Sequence, residues 1–358
     1  MVPLHELESV PVGRGLCLFG PLTGTLGLLN AAARETWERG GHAADGLTEE
    51  ISAALHGPLP EPADAASLPA DEKVLCPLPA SVGFYGLQSG PVVGLRCALP
   101  ELAELLKAVL APFAIQGEPA SVIDANAGPQ AGQVKISVRR RDRRGQCRTV
   151  PRDEARRYVL QQLLLELHGD AGVAAVLHAS AVSIGERALL IAGRSGAGKS
   201  TLTVALVAAG ASYLSDDLLP LAADGRHVLP FPLALSVKSG SWELVGALLP
   251  KLWQAREHRV RDLRVRYLPM TAPETIRRAV PVGAIVVPSY EPGAATELVP
   301  LSPEETFALL IDSGSEIVGA PPSVRPLARL VDTVPGFRLA FGDVGDAARQ
   351  SLSLLGAV

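Results

Sequence analysis

The chain has 358 residues, 47% of them hydrophobic and only 4% aromatic, with a formal net charge of −4. That length calls for two or three domains, and that much apolar content excludes a mainly disordered chain. A pI near 6.0 argues against a whole-surface attraction to nucleic acid, leaving only local basic patches to consider.

Cys17, Cys76, Cys97 and Cys147 are far apart and show no metal-ligand spacing. A chain this large needs no disulfides, so four reduced thiols in a cytoplasmic protein are expected. The apolar stretch from Leu16 to Ala33 imitates a signal sequence, but Glu6 and Glu8 precede it and Gly and Pro interrupt it. No run reaches the length of a membrane span, so no membrane partner is expected.

Residues 1–60 open with a short apolar strand, Gly15 to Phe19, followed by a helical pattern from Leu28 through Trp37. A second helix is expected after Gly46, with Thr48 as its cap and Ile51 and Leu55 one turn apart. Pro58 to Pro69 reads as a linker. Residues 73–150 read as a small α+β domain. Its strands are Ser81 to Leu87 and Val92 to Cys97, its helix Pro100 to Leu110, with proline at the entry. A hairpin follows, Val134 to Val138 and Cys147 to Val150, turning at Asp142 to Gly145.

Residues 151–358 read as an α/β unit. Asp153 caps a helix from Glu154 to Leu167. Val176 to Ile184 and Arg187 to Ala192 are strands joined at Gly185-Glu186, and a helix from Lys199 to Ala209 stops at Gly210. Later strands are expected at Leu233 to Val237, Val282 to Val287 and Phe337 to Phe341. Later helices are expected at Trp242 to Leu249, Pro303 to Ile311 and Ala347 to Leu354. No fixed-period repeat is present.

One motif carries chemistry. Gly193-Arg194-Ser195-Gly196-Ala197-Gly198-Lys199-Ser200, followed by Thr201, fits G-x-x-x-x-G-K-S in full, between an apolar strand and an amphipathic helix. Such a loop turns backbone N–H groups inward and adds the positive end of a helix, which suits the phosphates of ATP. Lys199 is placed to reach the β- and γ-phosphates and Ser200 to coordinate magnesium. Downstream, Tyr213-Leu214-Ser215 leads into Asp216-Asp217. Neighbours on an extended chain point opposite ways, so one carboxylate can hold Mg²⁺ while the other accepts a proton. A lone histidine in an apolar strand, such as His178 in Val176-Leu177-His178-Ala179-Ser180, is more often a core residue.

The run from His178 to Leu221 resembles the catalytic domain of HPr kinase and its related kinases. A histidine strand, a hairpin at Gly185, the phosphate loop, a helix ending at Gly210 and the paired aspartates follow in the same order and spacing. The resemblance implies an α/β P-loop kinase of the HPr kinase type, transferring a phosphoryl group from ATP to a hydroxyl. It places His178 near the γ-phosphate, makes Asp216 the base and gives Asp217 to magnesium. The match continues more weakly through Phe231 to Glu243, with Pro232 and Lys238, and through Val282 to Ser289. The glycine-arginine-asparagine loop by which HPr kinases read HPr has no counterpart here, which puts HPr itself in doubt as a substrate.

Leu29-Asn30-Ala31-Ala32-Ala33, Trp37, Asp45-Gly46-Leu47-Thr48-Glu49-Glu50-Ile51 and Leu55 resemble a PqqD-like domain. That resemblance implies a small winged-helix module holding the leader of a ribosomally made precursor peptide, added as a strand at an open sheet edge. The same residues also suit a plain three-helix core. Together the two resemblances make a serine or threonine of a precursor peptide or small protein the expected acceptor. A kinase for a small hydroxylated metabolite such as free serine, and a non-catalytic nucleotide sensor, are the rivals. Neither the acceptor's identity nor the oligomeric state is written in the sequence, and a homo-oligomer stays compatible with it. The basic stretches Arg139 to Arg144 and Arg256 to Arg266 read, respectively, as a solvated hairpin tip and as a possible contact for phosphate or an acidic substrate.

Overall fold

The apolar run ahead of the glycine loop forms the strand Arg187–Ala192, five of whose six residues are buried. Burial on both faces belongs to a central strand. It pairs antiparallel with Ala179–Ile184 on one side and parallel with Val280–Tyr290 on the other. The computed structural model describes residues 7–21, 24–38, 66–68, 83–87, 90–142, 144–168, 172–270 and 278–356. Cys76 and the expected helix after Gly46 lie outside them, and of the expected linker only Ala66–Leu68 is described, as a strand and not as a linker.

The architecture is mixed α/β with several sheets. The largest has ten strands. Its order runs from Ser212–Ser215 through Ala179–Ile184, Arg187–Ala192 and Val280–Tyr290 to His227–Val228, Leu219–Ala222, Val173–Leu177 and Glu316–Ile317. Gly336–Phe341 pairs parallel with Val280–Tyr290 and carries Glu297–Leu301 at its other edge. The single strand expected from Val176 to Ile184 is two strands, because the chain leaves the ladder at His178 and its two halves take different neighbours.

The helix Lys199–Ala208 is apolar on two sides and is sandwiched accordingly. Leu202 and Leu206 pack with Leu189, Ile191, Val286 and Phe341 of the sheet. Val204 packs with Tyr213, Leu235, Val237 and Trp242. Each fully buried leucine stabilises this placement by about 1.5–3 kcal/mol. The second cluster belongs to a three-stranded sheet, Leu235–Lys238, Leu263–Leu268 and Glu257–Val260, which stands beside the glycine loop.

A six-stranded sheet runs in the order Ala66–Leu68, Gly145–Pro151, Gln133–Arg140, Ser121–Ala127, Val92–Cys97, Gly83–Gly86. The helices Pro100–Leu110 and Ala155–His168 bury Leu106, Val109, Val159 and Leu163 in its core. That core is continuous with Phe231, Leu233, Val265 and Tyr267 near the glycine loop. The basic hairpin tip is only partly solvated: Arg140 pairs with the buried Glu166 (Nε to Oε1 2.8 Å), and Arg139 pairs with the buried Asp124.

At the N-terminal end, Glu8–Val12, Gly15–Phe19 and Leu26–Leu29 make an antiparallel sheet, and Ala31–Glu38 is a helix. Leu28 and Leu29 therefore belong to a strand and not to the expected helix. Leu29 pairs with Leu16 and is buried with Leu16 and Leu18, and Asn30 Oδ1 accepts from Ala33 N at 2.9 Å as the helix cap. The other face of this sheet, with Val12, Cys17 and Phe19, shares a core with Phe307, Leu310, Leu327 and Val331 of the helices Pro303–Asp312 and Arg325–Thr333. Glu8 Oε2 accepts from Val324 N at 2.8 Å, and Glu304 accepts from the amides of Arg14 and Gly15. Among the described residues no helix is long and apolar enough to cross a membrane.

Candidate active site

The glycine loop closes on itself through Ala197 N, which donates to Arg194 O at 3.2 Å. Gly196 and Gly198 have φ of 93° and 95°, a conformation that glycine adopts without strain, and Gly198 is the N-cap of the helix that follows. Among the described residues no acceptor takes the amides of Gly196, Gly198, Lys199 or Ser200. Orphan amides at a helix start form a receptor for an anion. Lys199 is buried and its Nζ donates to Gly193 O at 2.7 Å and to Arg194 O at 3.3 Å, so its charge lies across the loop. Burial lowers the Lys199 pKa, and Asp217 and Asp216 oppose that shift. Thr201 Oγ1 donates to Ser241 Oγ at 3.1 Å and Lys238 Nζ to Ser195 Oγ at 2.5 Å, tying the loop to its neighbouring sheet.

The paired aspartates occupy different environments. Asp216 is 2% exposed and accepts from Ser180 Oγ and, at 3.3 Å, from Ser236 N. Ser200 Oγ lies 3.3 Å from Asp216 Oδ2. Burial first, and then the neighbouring Asp217, push the Asp216 pKa up to about 7, against the hydrogen bonds from Ser180 and Ser236 and the charge of Lys199. Asp217 has a φ of 66°, and Leu218 N donates to Asp216 O across it at 2.9 Å. A left-handed aspartate costs about 1–3 kcal/mol, and such strain concentrates at functional sites. Ser215 Oγ, which donates to Leu218 O at 2.6 Å and Phe231 O at 2.9 Å, holds this turn. The turn leaves Asp216 in the interior and sets Asp217 on the wall of a cavity.

That cavity has a volume of about 1020 Å³, and its lining includes Ser195, Gly196, Gly198, Lys199, Ser200, Thr201, Asp217 and His178. Gly193 and Ala197 belong to the same loop but do not line it. His178 sits where the chain crosses between the two halves of the sheet, its N–H donating to Ser315 Oγ at 3.1 Å. Burial lowers the His178 pKa; Asp217 opposes this and Lys199 and Arg157 reinforce it. The histidine therefore faces the aspartate and the lysine and is no closed-off core residue.

Oxygen donors suit magnesium, which is ordinarily held by one or two carboxylates together with substrate phosphates. Ser200 and Asp216 offer such a pair of donors side by side. Among the described residues no group of three His, Cys, Asp or Glu side chains gathers to hold a metal by protein alone. The site also contains residues that the sequence did not single out. Ser180 and Ser236 hold Asp216, and Arg156, Arg157 and Tyr267 line the same cavity as the loop. Ser180 stood in the histidine strand, but its hydrogen bond to a residue 36 positions away leaves no local signal.

The second basic stretch forms the hairpin Glu257–Val260 and Leu263–Leu268 over this cavity. Arg264 pairs with Glu257 through Nε to Oε1 at 2.6 Å, and Arg266 stacks between Trp242 and Trp253. Those two arginines are structural. Arg256 pairs with Glu104 of the helix Pro100–Leu110 at 3.4 Å, and Arg261 with Asp153 at 2.8 Å.

No family model matches the chain, and no curated protein matches it. Among solved structures, an HPr(Ser) kinase/phosphatase from Coxiella burnetii aligns with 51% of this chain and 93% of its own, at 14% identity and a TM-score of 0.23. A superposition that loose carries no argument about fold or function.

Proposed function

We propose that the chain is an ATP-dependent kinase that phosphorylates a serine or threonine hydroxyl, on a ribosomally made precursor peptide or small protein. The observation that carries this reading is the convergence of Lys199, Ser200, Asp217 and His178 on one cavity, with Asp216 directly behind Ser200. The unpaired amides of the glycine loop and Lys199 hold the phosphates of ATP. Ser200 and Asp216 would hold magnesium, which would supply charge neutralisation at the phosphates. A nucleotide sensor needs no second carboxylate in the open cavity.

The packing supports exchanging the two aspartate roles expected from the sequence. Asp216 accepts from Ser180 and Ser236 and does not line the cavity, so a substrate hydroxyl meets Asp217 first, while a metal at Ser200 stays within reach of Asp216. Asp217 faces the cavity, where it accepts the proton of the attacking hydroxyl. His178, kept neutral by burial, sits beside it to orient the transferred group. Most of the acceleration comes from positioning and charge.

A cavity of about 1020 Å³ has room for an acceptor, such as a segment of a peptide, beside the nucleotide. The leader of that peptide docks on the N-terminal sheet. Leu26–Leu29 pairs with Gly15–Phe19 along one edge, and among the described residues no strand takes its other edge. Incubation with γ-labelled ATP and serine-containing peptides, with the modified residue mapped by mass spectrometry, tests the reading. Label on a serine or threonine supports it; label released only to water sinks it.

A further inference from the structure

Six arginines line the cavity, and most have their charge matched. Arg152 pairs with Glu101 at 3.1 Å, Arg157 with Glu316 at 2.9 Å, and Arg256 and Arg261 pair as described above. Arg156 differs. Its Nη1 donates to the hydroxyl of Tyr267 at 2.5 Å, and among the described residues no carboxylate pairs with it. Arg259 also lacks a carboxylate, but it is exposed at the rim, whereas Arg156 is half-buried.

Arg156 and Tyr267 line the same cavity as Asp217, Lys199 and His178. Tyr267 is 5% exposed, and burial raises the pKa of its hydroxyl, with Arg156 opposing and Asp217 adding to the shift. One phenol thus feels both the guanidinium and the carboxylate. A neutral tyrosine orients Arg156 without cancelling its charge, leaving further N–H donors in a planar fork. A half-buried cation with no counter-ion gains most from an anion that can accept two hydrogen bonds.

On the kinase reading above, we propose that Arg156 receives a carboxylate of the phosphate acceptor while Asp217 receives its hydroxyl. The acceptor is therefore a hydroxyl with an anionic neighbour. That carboxylate is either an acidic side chain beside the serine or the α-carboxylate of a terminal serine, and both present the same chemistry to the guanidinium.

The test uses the full chain with Mg–ATP and three serine peptides of one scaffold. One has Glu beside the serine and an amidated end, one has Gln there and an amidated end, and one ends in serine as a free acid. The wild type is expected to use at least one carboxylate-bearing peptide with kcat/KM about tenfold or more above the neutral one, the usual worth of a hydrogen bond to a charge. Whichever acid is preferred identifies the source. Arg156→Ala is expected to bring the preferred peptide down to the neutral level, with ATP affinity unchanged within about twofold, and Arg156→Lys to restore part of the difference. The ratio between acid and neutral peptides does not depend on how much variant folds, so a merely structural role leaves it unmoved. Equal use of all three peptides by the wild type, or equal slowing of all three by Arg156→Ala, overturns the proposal. The second result would place Arg156 on the transferred phosphoryl group. If Mg–ATP binds but no peptide is phosphorylated, the kinase reading itself fails and this proposal with it; if peptides are phosphorylated without discrimination, only this proposal fails.

Discussion

Ser200 Oγ lies 3.3 Å from Asp216 Oδ2, which joins the first turn of the helix behind the glycine loop to a carboxylate with almost no solvent exposure. On the proposed reading this hydroxyl and carboxylate hold one magnesium ion together, and the loss of a group that supports a metal ordinarily costs about 10–100-fold in its affinity. Asp216→Asn is expected to raise the magnesium concentration needed for ATP binding by about that factor. Calorimetric titration of ATP at a series of magnesium concentrations checks it, and an unchanged magnesium requirement would remove Asp216 from the metal site.

Asp216 also makes stability depend on pH. Its carboxyl titrates near 7 in the folded chain, against about 3.9 unfolded. From about pH 4 to 7 the folded state keeps a proton that the unfolded state has lost. Stability from this group therefore falls as pH rises through that window and is level above it. Asp216→Asn has no such penalty, so its stability relative to wild type, without nucleotide, is expected to improve by about 2–4 kcal/mol between pH 4.5 and 8. His178, whose lowered pKa acts in the opposite direction, is common to both proteins. Melting curves at the two pH values give the comparison, and a gap that does not change contradicts it.

Lys199 and the loop amides should respond to nucleotide as one unit. A ligand that binds only the folded state stabilises it by about 2.7 kcal/mol at 100 times its dissociation constant. Mg–ATP or Mg–ADP is expected to raise Tm by about 5–10 °C in the wild type and by little in Lys199→Ala. A wild-type Tm indifferent to both nucleotides would leave the loop without its assigned ligand.

Local elements were legible in the sequence; distant pairing was not. The glycine loop, its strand, its helix and the acidic pair were all visible because strand periodicity, Gly198 and Lys199 are neighbours in the chain. The helices Pro100–Leu110 and Pro303–Asp312 were readable from proline at their entry. The strands Leu219–Ala222 and Glu297–Leu301 were missed because Pro220 and Pro300 stand in mid-strand, and Ser121–Ala127 because Asp124 and Asn126 interrupt its apolar run, although Gly128-Pro129 marks its end. The break at His178 was hidden because apolar residues flank it on both sides. The proposed division of labour between Asp216 and Asp217 rests on Ser180, Ser236 and the left-handed φ of Asp217, none of which adjacent residues announce.

Phe19 tests how firmly the N-terminal sheet is built into the rest. It is 2% exposed and shares its cluster with Phe307, Leu310 and Val331. Phe19→Ala is expected to destabilise the chain by about 3–5 kcal/mol, as buried phenylalanine deletions do. Wholesale removal of residues 1–30 is expected to expose that core and reduce solubility and ATP binding together, so point substitutions on the free edge of Leu26–Leu29 are the better probes of a leader site. Denaturant melts measure the Phe19 effect, and a loss under about 1 kcal/mol would mean that the sheet is only loosely attached.

The central claim is that Asp217, on the cavity wall beside His178 and Lys199, takes the proton from a hydroxyl as phosphate leaves ATP. Single-turnover transfer from γ-labelled ATP to a serine peptide, measured for wild type and Asp217→Asn with Mg–ATP affinity determined in parallel, tests it most directly. The expected result is a slowing of transfer by about 10²- to 10⁴-fold with affinity within a few-fold. Transfer at the wild-type rate in Asp217→Asn, with loss confined to Asp216→Asn, would contradict it and return the proton to the buried carboxylate.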